Sequence, residues 1–115
     1  MQSNIYGKKS EIIAADFLKQ KGYKIIELNY KNKIGEIDII AQDKDYLIFV
    51  EVKARLSRSF GDPLEAVDLR KQQKIRKVAE LYLIIKRKTN VNCRFDVISI
   101  LGQEDYAISH IENAF

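Results

Sequence analysis

Between Gly35 and Arg55 the chain carries two apolar segments separated by Lys44-Asp45, and this stretch limits the fold more than any other. Gly35–Ala41 alternates apolar with charged residues, and Tyr46–Ala54 is the most apolar run in the protein, so both read as β-strands. A two-residue turn at Lys44-Asp45 joins them in a register that sets Asp38 opposite Glu51 and Glu36 opposite Lys53. Side chains alternate along a strand, so Glu36 and Asp38 share a face, as do Phe49, Glu51 and Lys53, with Val50 and Val52 on the other. A three-residue turn would instead set Asp38 against Val50 and let it meet Glu51 only diagonally. Either way, a hairpin too apolar to sit in water carries two neighbouring acids.

The rest of the chain supplies layers for such a hairpin. From about Ile5 to Lys21, Ile12, Ile13, Ala14, Phe17 and Leu18 recur at helical spacing, and Gly22 is a natural stop. Tyr23–Tyr30 reads as a strand, and Leu56–Asp62, without periodicity, as a mobile loop. Pro63 suits the first turn of a helix running to about Lys88, with Leu64, Val67, Ile75, Val78, Ala79, Tyr82 and Leu83 inward. Strands at about Asn92–Leu101 and Tyr106–Ile111 close the chain. The order is αβββαββ, an α/β fold with a mixed central sheet flanked by helices. At 115 residues, without repeat or Pro/Gly-rich linker, residues 1–115 read as a single domain.

Composition narrows the partner. Residues 1–52 are neutral, residues 53–94 carry twelve basic against four acidic side chains, and the tail from Phe95 is acidic. A basic middle points to a polyanion, most simply nucleic acid, although the same charges also serve to solvate a long helix. No apolar run approaches the ~20 residues of a membrane helix. Lys8, Lys9 and Glu11 lie where a secretory signal would need its apolar core, and the lone Cys93 can make no internal disulfide. The expectation is a cytoplasmic protein with no membrane partner.

Two carboxylates about 5 Å apart repel unless a cation lies between them. Mg²⁺ takes hard oxygen ligands, usually one or two carboxylates with water and phosphate oxygens. Asp38 and Glu51 would provide that pair, helped by the Val52 carbonyl, with Lys53 holding a phosphate or positioning a water. The structural alternative pairs Asp38 with Lys53 and Glu36 with Arg55 as half-exposed ion pairs of little energy.

The segments Gly35–Ala41, Phe49–Arg55, Phe60–Pro63, Glu65–Val67 with Lys71, and Arg94–Ile98 closely resemble the YraN family of small bacterial proteins. The resemblance runs from Gly7 and Glu11 to Phe115. That family resembles restriction-endonuclease-like, PD-(D/E)XK nucleases, and in shape archaeal Holliday-junction resolvases. The resemblance implies an αβββαβ core and Mg²⁺- or Mn²⁺-dependent endonuclease cleavage of phosphodiester bonds, in DNA before RNA, with branched and single-stranded forms as candidates. Asp38 is similar to the motif's first aspartate, Glu51 to its second acid and Lys53 to its lysine. Glu11 matches the position where resolvase-like members place a further acid near the metal. Ile37 stands where the motif has proline. Gln72 lacks the tyrosine that RecB-like relatives carry four residues on, having Arg76 there, so the long helix is expected to meet phosphates through Lys71, Lys74 or Arg76, with Gln72, Arg55 and Arg58 also expected at the nucleic acid. Resolvases commonly act as dimers, so a homodimer is one arrangement to consider. The rival class is a nucleic-acid-binding module on the same scaffold without catalysis.

Other residues earn plainer readings. His110 has no ligand-type neighbour in sequence and reads as a surface or edge-strand residue, Cys93 as a small buried hydrophobe, and Asp96 as a structural partner of Arg94 or of the basic helix.

Overall fold

The computed structural model describes residues 2–56, 67–102 and 104–115, with side chains from residue 9 onward. The elements are α1 (Gln2–Gln20), β1 (Lys24–Lys31), β2 (Glu36–Asp43), β3 (Tyr46–Arg55), α2 (Leu69–Ile85), β4 (Asn92–Leu101) and β5 (Ala107–Ile111). This is the expected αβββαββ order. The strands form one five-stranded sheet in chain order. β1, β2 and β3 are an antiparallel meander, β4 joins β3 in parallel, and β5 returns antiparallel to β4. The parallel step requires a crossover, and α2 is the helix within it. No described helix is long and apolar enough to cross a membrane.

The central strands are apolar on both faces because a helix covers each. Ala14, Ala15 and Leu18 of α1 pack on Ile39, Ala41, Ile48, Val50, Ile98 and Ile100. Ile75, Val78, Ala79 and Tyr82 of α2 pack on Ile40, Leu47, Phe49, Phe95 and Val97. Ile39, Ile40 and Ala41 thus alternate between layers, as do Ile48, Phe49 and Val50. Tyr82 is 1% exposed and meets Tyr30 and Phe49 edge-on, an arrangement aromatic rings favour.

Local punctuation follows the sequence. Gly22 takes a φ of +94°, and the Gly22 N–H bonds back to the Lys19 carbonyl, which ends α1. Lys44 takes a φ of +54° in the hairpin turn, and Asp43 pairs with Tyr46, so the two-residue turn is the one formed. α2 is shorter than expected. Asp68 is extended (φ −71°, ψ 174°), and its carboxylate accepts the Lys71 N–H at 2.9 Å, the geometry of an N-cap, so α2 begins at Leu69. Val67 is buried as predicted, but just ahead of the helix rather than on it. Pro63, Leu64 and the expected loop beyond Leu56 lie outside the described residues.

Candidate metal centre

The β2–β3 ladder follows the expected register from Asp43–Tyr46 to Ile39–Val50 and stops there. β2 continues alongside β1, with Ile37 on Tyr30 and Glu36 on Lys31, while β3 continues alongside β4. Ile37 packs with Ile40 in the α2-side core although the two are three positions apart, an odd spacing that puts residues of a regular strand on opposite faces, so the alternation of β2 breaks around Asp38. The two strands fork at this point. Asp38 therefore does not face Glu51 across a ladder. Its Oδ2 accepts the Val52 N–H at 2.8 Å, using a donor that the ended ladder leaves free. The expected Glu36–Lys53 pairing is also corrected, because Glu36 follows β1 and lies 3.9 Å from Lys31 Nζ.

The fork brings side chains from both layers to Asp38. Glu51, on the α2 side of β3, interacts with Asp38 by charge and hydrogen bond, and Glu11 reaches Asp38 from α1. Lys71, in the first turn of α2, lies 3.4 Å from Glu51 Oε1. Lys53 and Lys71 share a hydrogen bond. Burial, then the neighbouring Asp38 carboxylate, push Glu51 up to about 7. Burial and then Asp38 also raise Glu11. For Lys53, burial and the bond to Lys71 lower the pKa. Burial acts the same way on Lys71, but the bond to Lys53 and the attraction of Glu51 outweigh it and leave its pKa raised.

A groove of about 420 Å³ opens onto this cluster, lined among others by Asp38, Glu51, Lys71, Lys74, Lys31 and Glu36. Asn32 shapes its turn wall: its Oδ1 accepts the Ile34 N–H at 3.0 Å, and its amide donates to the Val78 carbonyl at 3.2 Å. Gly35 lets α2 approach, since a Cβ there would lie 3.1 Å from Lys74 Cε and Val78 Cγ2.

The donor set suits a hard divalent cation. Carboxylates that interact this closely need either a shared proton or a cation between them, and Mg²⁺ needs only one or two of them. Among the described residues no three His, Cys, Asp or Glu side chains form a ready-made cage. The pair Asp38 and Glu51 is the offer, with Glu11 bonded to Asp38 behind it.

The remaining sequence-predicted residues are placed as follows. Lys74 joins the groove. Gln72 instead donates its amide to the Val67 carbonyl at 2.9 Å, tying down the segment before α2. Arg76 stacks over Phe95 and Phe115, its Cζ 4.7 Å and 5.6 Å from their ring centres. Arg55 ends β3, and Arg58 lies outside the described residues. Sequence reasoning missed Lys31 and Asn32 in the groove wall and Asn29, whose side chain bonds to Glu11. Asn29 has a φ of +52°, a conformation Asn tolerates better than most residues, yet nothing in a strand-like run signals it.

His110 is the edge-strand residue expected, with a buried partner that the sequence does not signal. It sits on the edge strand β5, but its side chain is only 3% exposed and its Nε2 lies 2.7 Å from Asp96 Oδ2. Asp96, fully buried, also accepts two bonds of 2.9 Å from Arg94 and one of 3.0 Å from the Asn113 N–H. A buried carboxylate needs such partners, and here Arg94 supplies the one expected and His110 the one not foreseen.

Known proteins resemble this chain along nearly its whole length. The family described as Uncharacterised protein family UPF0102 matches residues 10–100. A UPF0102 protein of Alkaliphilus oremlandii is 48% identical over 112 residues, covering 95% of this chain and 96% of that protein. One of Thermodesulfovibrio yellowstonii is 50% identical over 109 residues, covering 95% and 94%.

Proposed function

Because the chain belongs to the UPF0102 (YraN) family, to which no activity is assigned, its chemistry has to be read from its own residues, and we propose that it is a divalent-metal-dependent endonuclease acting on DNA. The observation that carries this reading is the meeting of Asp38, Glu51 and Glu11 with Lys53 and Lys71, beside a groove in which Asp38, Glu51 and Lys71 are joined by Lys31 and Lys74. Asp38 and Glu51 would hold Mg²⁺ or Mn²⁺, with the Val52 carbonyl within the same turn of chain. Bound there, the ion would acidify a water and offset charge building on the scissile phosphate.

The chain's own residues do the rest. The Val52 N–H fixes the Asp38 carboxylate, so one ligand is oriented before any ion arrives. Glu11 reinforces Asp38 from the opposite layer. Lys53, on β3 beside Glu51, orients the phosphate or the attacking water. Lys31 and Lys74 draw the nucleic-acid backbone along the groove, which confers affinity without sequence preference and a steep salt dependence.

The test is cleavage of labelled duplex, single strand, flap, four-way junction and RNA with Mn²⁺, Mg²⁺ or chelator, wild type beside Glu51→Ala. The expected result is metal-dependent cutting of a DNA form that the variant lacks. Binding without cutting, unchanged by the substitution, would overturn the nuclease and leave a binding module on its scaffold.

A further inference from the structure

Lys71 comes to the acids from a different layer than Lys53, and its backbone is unusually well held. Its N–H is bonded to the Asp68 cap, and the neighbouring Gln72 clamps the buried Val67. Only the side chain is free to move. It is 41% exposed, with its ammonium at Glu51 Oε1, whose own side chain is 11% exposed. A lysine phosphate contact on an outer helix face would have no need to reach a buried carboxylate.

We infer that Lys71 is an internal counter-ion: without metal its ammonium occupies the cation position at Glu51, and on metal loading it is displaced onto the substrate phosphate. The inference rests on the proposed metal site and adds a coupling to it. A divalent ion at Asp38 and Glu51 competes for the same oxygen and repels the ammonium. Four flexible torsions let Lys71 withdraw from Glu51 along the groove that it lines with Lys31 and Lys74, where a substrate phosphate would receive it. Lys71 is thus a positioning residue whose engagement with nucleic acid follows metal binding.

The experiment is calorimetric titration of Mn²⁺ into wild type, Lys71→Met, Lys71→Arg and Glu51→Gln, without nucleic acid. Removing a competing cation from a partly buried carboxylate should tighten Mn²⁺ binding by about five-fold in Lys71→Met. Lys71→Arg keeps the charge and should stay near wild type. A filter-binding series with a non-cleaved DNA should show that added Mn²⁺ strengthens DNA binding by wild type but less by Lys71→Met. If wild type binds Mn²⁺ through Glu51 and Lys71→Met binds no more tightly, the counter-ion role is overturned and the metal site stands. If no variant binds Mn²⁺, or Glu51→Gln binds as wild type does, the inference and the proposed function fall together.

Discussion

Replacing Glu51 by Gln should stabilise the protein in chelator at pH 8, the reverse of what removing a buried ion-paired residue usually does. The folded protein raises the Glu51 pKa from 4.5 to about 7, through burial first and the Asp38 carboxylate second. A group so raised favours folding fully below its unfolded pKa, and that contribution is lost as pH rises through about 7. The side chain is only 11% exposed, so solvent screening removes little of the effect. The shift corresponds to roughly 3 kcal/mol of stability withheld above pH 8. Gln keeps the shape and drops the charge; the attraction of Lys71 and Lys53 is already contained in the value of about 7, and the amide's imperfect match to a protonated carboxyl reduces the gain. A net gain of about 1–2 kcal/mol is expected, or about 4–8 °C in Tm for a domain of this size. At pH 4 the carboxyl is protonated in both states and the difference should vanish. Saturating Mn²⁺ should reverse the ranking. A metal at a hundred times its Kd adds about 2.7 kcal/mol to wild type and nothing to the variant. Thermal unfolding at both pH values, with chelator and with Mn²⁺, reads all four quantities. A Glu51→Gln protein less stable than wild type in chelator at pH 8 would refute the reasoning, because the lysines would then more than offset burial and Asp38.

Two further outcomes concern the scaffold. Asp96→Ala leaves Arg94 and His110 buried without their carboxylate and should cost about 3–5 kcal/mol in urea unfolding. Burial alone would raise the Asp96 pKa, but the bonds from His110, Arg94 and the Asn113 N–H hold it below the ordinary range. Its stabilisation is therefore present above about pH 4 and lost as pH falls through the folded value, so the variant should show a flatter acid limb. Asp68→Ala removes the cap of α2 and should lower stability by about 1 kcal/mol, seen as a small drop in the melting curve followed by circular dichroism.

What the sequence disclosed depended on how local each determinant is. The strands, the two-residue turn at Lys44-Asp45 and the inner face of α2 follow from periodicity, and they form as read. The start of α2 does not, because Pro63 is a stronger written signal than Asp68, yet Asp68 has the carboxylate and the extended backbone a cap needs. Asp38 and Glu51 were legible as charges in apolar strands. Their geometry was not, since alternation alone cannot say where a ladder ends. The bond between His110 and Asp96 was hidden for the same reason: the two lie on different strands, and only the β4–β5 pairing brings them together.

The fork at Asp38 has a packing counterpart in Ile37. The β2–β3 ladder ends at Ile39, while Ile37, 2% exposed in the α2-side core, remains paired to Tyr30 of β1. Burial of Ile37 draws β2 away from β3, and the separation frees the Val52 N–H that fixes the Asp38 carboxylate. A strand continuing in register would have put Asp38 opposite Glu51 and left Glu11, in the other layer, without a route to it. The break is what allows residues from both helices and both strands to converge on a single carboxylate.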